Sequence, residues 1–374
     1  MPVRIKDICI RLSSGNSIQA SQIKENGIYP VYGGNGLRGY TDDFNFNGEC
    51  VLIGRQGEQC GNIHYLKGKA YITEHAIVLC VKKDINARYI ACLLSLIDLR
   101  RFSSQSAQPG ISVETLGNIE INILDYESQD KIGKLIDIIE EQIKYNNLMV
   151  NKLQVLSQII FNKWFVQFDY PGADGKLYFN SDLKKEIPIK WTTCKLTECI
   201  KWESASQPPK SEFIYEQKAG YIRFIQNRDY DSASHITYIP HKNSTKTCTK
   251  WDIMMDKYGD AGKIRCGLEG AYNVALAKIT PIIRSSQEYI RQFLLLDSNY
   301  QYLHNACMAS TRASLNENTL NGIIIAIPEN EILEKYELIM KNILKCRFSI
   351  IDSTTKLQYL KEKLLPLLIN GQLY

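Results

Sequence analysis

The chain has 374 residues, with 45 lysines and arginines against 40 aspartates and glutamates, a net charge of +5. That length exceeds the usual range of one compact domain, and a composition 44% hydrophobic and 23% charged excludes a long disordered or collagen-like polymer. So small a net charge permits nucleic-acid binding, which local basic faces decide, without establishing it.

The opening Met1-Pro2-Val3-Arg4-Ile5-Lys6-Asp7 lacks the apolar centre of a signal peptide, and no apolar run approaches the ~20 residues of a membrane span, so a cytoplasmic protein is expected. Residues 1–124 read as a strand-rich first domain. In it Val51-Leu52-Ile53-Gly54-Arg55-Gln56-Gly57 leads through Gly61-Asn62-Ile63 to Ala70-Tyr71, and Tyr89-Ile90 opens a short helical run. Gly33-Gly34-Asn35-Gly36 is too short for a dinucleotide fingerprint and reads as a turn, whereas Glu74-His75 reads as strand. The block closes on Thr115 to Ile123, a turn followed by a strand with alternating isoleucines.

Residues 125–170 carry a long helical pattern. In steps of four and three from Ile132 come Ile136, Ile139, Ile143, Asn146, Val150, Leu153, Ser157, Ile160 and Trp164, eight of the ten apolar. A seam of this kind buries itself against another helix. Over about 40 residues such a helix is ~60 Å long at ~1.5 Å per residue. The turn-rich Tyr170-Pro171-Gly172 ends the pattern, and Ile187-Pro188-Ile189-Lys190-Trp191 opens a second mixed block, residues 171–328.

That second block repeats the first. Ile253-Met254-Met255-Asp256-Lys257-Tyr258-Gly259 leads through Gly262-Lys263-Ile264 to Ala271-Tyr272; Tyr289-Ile290 opens a helical run; and Thr319 to Ile327 matches Thr115 to Ile123 at an offset of 204. The same offset carries the seam onto residues 329–374 as Tyr336, Met340, Ile343, Arg347, Ile350, Thr354, Leu357, Lys361, Leu364 and Leu368, seven of the ten apolar, with Pro366 marking the end of the pattern. The expected fold is therefore α+β: two similar mixed α/β domains separated by two long antiparallel coiled-coil helices, a pseudo-twofold internal repeat. Asn146, Ser157, Arg347, Thr354 and Lys361 interrupt the seams; Asn146 is expected to select the register, unless coiling turns such positions outward.

Catalytic motifs are missing. Gly259-Asp260-Ala261-Gly262-Lys263 has the wrong spacing for a phosphate loop, no Asn/Asp-Pro-Pro-Tyr/Phe tetrapeptide is present, and the five histidines are isolated. Eleven scattered cysteines without a Cys-x-x-Cys pair suggest neither a disulfide framework nor a zinc ribbon. No cofactor or metal is expected on the chain. What remains is polar and basic sequence in loops. Tyr32, Asn35, Arg38, Arg55, Gln56, Arg101 and Gln105 in the first domain are candidates for duplex DNA contact, as are Arg223, Asn227, Arg228, Lys257, Tyr258 and Arg312 in the second. Arginine forks match guanine, and Asn or Gln amides match adenine, in the major groove.

The arrangement resembles the specificity subunit of type I restriction-modification enzymes. The residues that carry the likeness are Val51 to Tyr71 and Ile253 to Tyr272, Thr115 to Leu124 and Thr319 to Pro328, and Ile187 to Trp191. The resemblance implies two target-recognition domains that read an asymmetric bipartite DNA sequence, and two spacer helices on which two methyltransferase subunits dock. Those partners would hold S-adenosylmethionine and flip the target adenine, with restriction and translocase subunits joining them, so the chain itself would not be an enzyme. A specificity-like subunit of another defence system, or a two-module DNA-binding regulator, stays open at this point.

Overall fold

The computed structural model describes residues 2–103, 110–232, 235–309 and 314–372. The chain divides into two compact units, residues 1–146 with 353–374, and residues 147–352.

In the first unit, β1 (Pro2–Arg4) leads through a 3-10 turn to β2 (Cys9–Ser14), β3 (Tyr29–Gly33), β4 (Gly36–Thr41), β5 (Phe46–Gly54), β6 (Ile63–Ile72) and β7 (Ala76–Val81). The sheet order is β2-β7-β5-β6-β3-β4, with β3 and β6 parallel and the other neighbours antiparallel. Helix α1 (Ala87–Ser95) is capped by Asn86, whose Oδ1 accepts from the Tyr89 amide at 3.0 Å. After the short α2 (Val113–Gly117), β8 (Glu120–Asn122) pairs antiparallel with β1. The long α3 (Tyr126–Phe161) then begins, with Asp125 accepting from the Ser128 amide at 3.0 Å. Buried Gln129 in its first turn accepts from the Asn86 amide at 2.9 Å and donates to the Leu124 carbonyl at 2.8 Å, tying the start of α3 to the start of α1.

The second unit opens on the hairpin β9 (Leu177–Asn180) and β10 (Lys185–Pro188), followed by β11 (Thr192–Lys195), α4 (Leu196–Cys199) and β12 (Ile200–Ser204). Next come β13 (Tyr221–Ile225), β14 (Thr237–Pro240), β15 (Thr247–Cys248), β16 (Ile253–Asp256), β17 (Ile264–Arg265), β18 (Gly270–Tyr272) and β19 (Leu276–Pro281). Helices α5 (Gln287–Leu294) and α6 (Asp297–Met308) precede β20 (Ile324–Ile327), and α7 (Asn330–Ile369) completes the described elements. Two four-stranded sheets form, β12-β19-β16-β17 and β14-β13-β18-β15.

The two units share one plan. β2-β7-β5-β6 corresponds to β12-β19-β16-β17, the parallel pair β3/β6 to β13/β18, and β1/β8 to β11/β20. The difference is a break. The single strand β6 is replaced by two pieces, β17 and β18, because the chain turns at Gly267 (φ +103°) and Gly270 (φ +146°), values that disfavour a side chain. Tyr89 and Tyr289, equivalent and both buried, fasten α1 and α5: Leu124 donates its amide to the Tyr89 hydroxyl, and the Tyr289 hydroxyl donates to the Ala326 carbonyl.

The seams behave as their spacing implies, and none of the twenty seam positions is exposed. In the first unit Ile132 and Ile136 share a core with Leu365, Leu368 and Ile369. Asn146 Nδ2 donates to Thr354 Oγ1 at 3.0 Å, and Lys361 pairs with Glu140 at 2.5 Å; numbers rise on one helix as they fall on the other, so these segments are antiparallel. In the second unit Phe161, Trp164 and Phe165 pack on Tyr336, with ring centroids 6.4, 5.7 and 4.7 Å apart. The polar seam residues are thus turned inward rather than outward, and Ser157 satisfies itself on the Leu153 carbonyl at 2.9 Å.

Two expectations are corrected. Helix α7 runs through Pro366 to Ile369, because a proline in the last turn removes only one ladder bond where the helix is ending anyway. Glu74 and His75 form the turn between β6 and β7 instead of strand, since the chain must reverse there to pair β7 with β5. One cysteine pair, Cys194–Cys199, is joined and closes a local six-residue corner.

Buried Arg88 holds Asp137 Oδ1 at 2.7 Å and also pairs with Glu140. Although burial opposes it, Lys361 and Arg88 keep the Glu140 carboxyl below its ordinary range. Arg88→Met is expected to lower unfolding stability in urea by ~1–3 kcal/mol by stranding the half-buried Asp137 carboxylate and leaving Glu140 with Lys361 alone, whereas Lys335→Met, which breaks the exposed Lys335–Glu331 pair, should cost no more than ~0.5 kcal/mol.

Candidate nucleic-acid interface

In the first unit the candidate residues sit on neighbouring loops at one end of the sheet. The Gly33–Gly36 turn joins β3 to β4; the 54–62 loop joins β5 to β6; residues 99–102 form a 3-10 turn. Backbone bonds lock them together. The Arg55 amide donates to the His75 carbonyl at 3.0 Å, the Arg55 carbonyl accepts from Ile111 at 2.9 Å, and the Thr73 amide donates to the Tyr32 carbonyl at 2.8 Å. Glycine permits the approach: a Cβ on Gly54 would lie 2.3 Å from the Gln59 carbonyl oxygen and 2.6 Å from that of Gly34.

Side chains are then free to face outward. Asn35, Arg38, Gln56 and Arg101 are exposed. Arg55 is half-buried, its Nη1 donating to Ser14 Oγ at 3.2 Å, and Tyr32 is half-buried, burial raising its hydroxyl pKa. Arg101 lies over the Phe102 ring at 4.7 Å, and Arg100 donates to the Glu58 carbonyl. Gln105 falls outside the described residues.

Sequence reasoning missed Asn62 and His64. Asn62 Nδ2 reaches Asn35 Oδ1 at 3.4 Å and Gln59 Oε1 at 2.6 Å, and the His64 ring covers Gly36. Burial lowers the His64 pKa, and its Nε2 has no hydrogen-bond partner among the described residues. The available signal was the repeated Gly61-Asn62-Ile63, where a left-handed glycine (φ +86°) turns the chain just before the amide.

The second unit uses the same clamp. Lys257 donates its amide to the Ala275 carbonyl at 2.8 Å and accepts from Leu315 at 3.0 Å, the Asn273 amide donates to the Ile225 carbonyl at 3.0 Å, and Gly262 donates to Asp256 at 2.8 Å, as Gly61 does to Gly54. The side chains differ. Arg228 and Tyr258 are exposed; Arg223 and Asn227 are half-buried, with Arg223 Nε and Asn227 Oδ1 unpartnered among the described residues. Lys257 is buried, its ammonium on Ser204 Oγ at 3.2 Å, and burial lowers its pKa. Arg312 lies outside the described residues. Sequence reasoning also missed Arg265, which bridges Asp231 at 2.8 Å and Asp256 at 3.1 Å and so braces both loops.

Among the described residues no group of three or more His, Cys, Asp or Glu could hold a metal ion, and no helix is long and apolar enough to cross a membrane.

A scaffold used twice with different loop side chains defines a class of modular recognition proteins, and comparison with known proteins names the family. Residues 1–155 match the family model of the type I restriction modification DNA specificity domain. The chain is 39% identical over 132 residues to the type I restriction enzyme EcoprrI specificity subunit of Escherichia coli, covering 34% of this chain but only 33% of that subunit's length. It is 31% identical over 140 residues to the Mycoplasma pneumoniae type I specificity subunit S.MpnORF289P N-terminus, covering 36% of this chain and 74% of that protein. The fold is similar to the crystal structure of the type I restriction-modification system S subunit from M. genitalium, with a TM-score of 0.71 at 14% identity over 99% of this chain and 96% of that one. The chain belongs to the specificity subunits of type I restriction-modification systems.

Gly54→Ala is expected to destabilise the first unit by ~3 kcal/mol or more, since backbone on two sides must move. Gly57→Ala, with φ +78° and nothing within 4 Å, should cost only the ~1 kcal/mol of left-handed strain. Equal midpoints of chemical denaturation for the two variants would contradict the close-approach argument.

Proposed function

We propose that the chain reads an asymmetric, two-part duplex sequence, each globular block (about residues 1–124 and 171–328) serving as a target-recognition domain for one half. One observation supports this above the rest: the loop clamp at Arg55 recurs at Lys257 with the same backbone bonds and different neighbours, Asn35 and Arg38 in one unit, Asn227 and Arg228 in the other. A common frame with unlike side chains is what two unlike half-sites require. Phosphate contacts would set position, and base-edge contacts would specify sequence.

In this reading α3 and α7, of 36 and 40 residues, act as the coiled-coil spacer that sets the gap between half-sites. They would also dock two methyltransferase subunits. α3 exposes Ile138 and Tyr145 in the first unit and Leu148, Met149, Val155, Leu156 and Ile159 in the second, apolar positions outside the seam that a monomeric helix has no use for. S-adenosylmethionine and adenine chemistry then belong to those partners. Restriction and translocase subunits join the same assembly in the cytoplasm, and this chain makes no bond itself.

The test is binding of the assembled methyltransferase complex to its duplex across a salt series. Arg38→Ala and Arg228→Ala are each expected to weaken specific binding by ~1–3 kcal/mol and to relax base preference in one half of the site only. Unchanged affinity and preference in both variants would refute the assignment of these loops.

A further inference from the structure

The second unit has a partly open cavity of about 320 Å³ whose polar wall carries Tyr230, Arg265, Glu288, Arg291 and Arg347. Two local features open it. Ser157, at a seam position, is too small to fill the space between α3 and α7, and the strand that is continuous as β6 in the first unit is interrupted after Arg265. Met340 and Leu344 form an apolar part of the lining.

The charges are unevenly paired. Arg265 is matched by Asp231 and Asp256, and Arg291 by Glu288 at 3.0 Å. Arg347 makes no ion pair among the described residues, and its Nε is buried without a hydrogen-bond partner; the buried Tyr230 hydroxyl is likewise unpartnered. A cation held in a protein wall without a counter-charge costs free energy, and a chain folds around one when something else supplies the charge. Burial and the nearby Arg291 outweigh the attraction of Glu288 and hold the Arg347 guanidinium below its ordinary range.

We propose that this cavity binds a small organic anion, its phosphate or carboxylate head held by the Arg347 guanidinium and the Tyr230 hydroxyl and its apolar body lying against Met340 and Leu344. The volume suits a ligand of mononucleotide size. Such a ligand acts on the reading loops. Tyr230 closes the turn Asn227–Tyr230, and Arg265, stacked 5.7 Å from the Tyr230 ring, braces the Asp256 carboxyl that precedes Lys257 and Tyr258. Burial raises that carboxyl to about 6, so the brace is itself sensitive to what enters beside it. Occupancy of the cavity therefore biases the geometry of the second unit's loops from behind.

Binding is measured without DNA, so its outcome is separate from the reading of bipartite recognition. The full chain is melted with adenosine monophosphate, with octanoate and with inorganic phosphate. At least one organic anion is expected to raise the melting midpoint by several degrees, more than inorganic phosphate does, because a ligand that binds only the folded state stabilises it. A response to the nucleotide alone assigns a phosphate head on a flat body; a response to octanoate alone assigns a carboxylate on an aliphatic one. Arg347→Met is expected to abolish the shift and to melt no lower than the parent without ligand. Tyr230→Phe, which removes a single oxygen, should reduce the shift and carries the test if the first variant does not fold. No response to any anion, a response to inorganic phosphate as large as to both organic anions, or a shift that survives in Arg347→Met overturns the proposal.

Discussion

The structure depends on a backbone clamp that holds a loop without using its side chains. At Arg55 and again at Lys257, the residue after the central strand donates its amide to the carbonyl of one turn and accepts from the amide of another segment. Main-chain bonds of this kind are indifferent to side-chain identity. The loop is therefore fixed in place while its chemistry can be rewritten.

The two units show how far that rewriting goes. Where the first has Gly54, and packs loops so closely that a single methyl group would collide with backbone, the second has Asp256, whose buried carboxyl takes Arg265 as its partner. One solution uses the absence of a side chain and the other an ion pair, yet the flanking bonds are the same. The long helices show a similar economy. Their apolar seam supplies attraction, which is non-directional, while Asn146 with Thr354 and Lys361 with Glu140 supply the directional contacts that one register satisfies. Arg347 stands apart from these, a seam residue whose Nε is buried with no hydrogen-bond partner among the described residues.

Much of this was legible in the sequence because it is periodic. The four-and-three spacing from Ile132 and from Tyr336 marked the buried faces of α3 and α7, and the recurrence of Tyr89 at Tyr289 marked two equivalent buried tyrosines. The ends of elements were less legible. Pro366 reads as a stop but sits inside the last turn of α7, where the cost is small. The site was legible in location and not in detail. Lys257 falls in the right loop, but a lysine's long stem lets it bury, and nothing local announces that Ser204, far away in the chain, will receive it. The Asp231–Arg265–Asp256 brace and the Asn35–Asn62 contact join residues brought together only by the sheet, so no short motif records them.

The most direct measurement of the central claim is the map of methylated bases in cells that carry this chain with its partner subunits, compared with cells in which residues 171–328 are replaced by the corresponding segment of another specificity subunit. One half of the modified sequence is expected to change while the other half and the gap between them are retained. A change in both halves, or in neither, would contradict it.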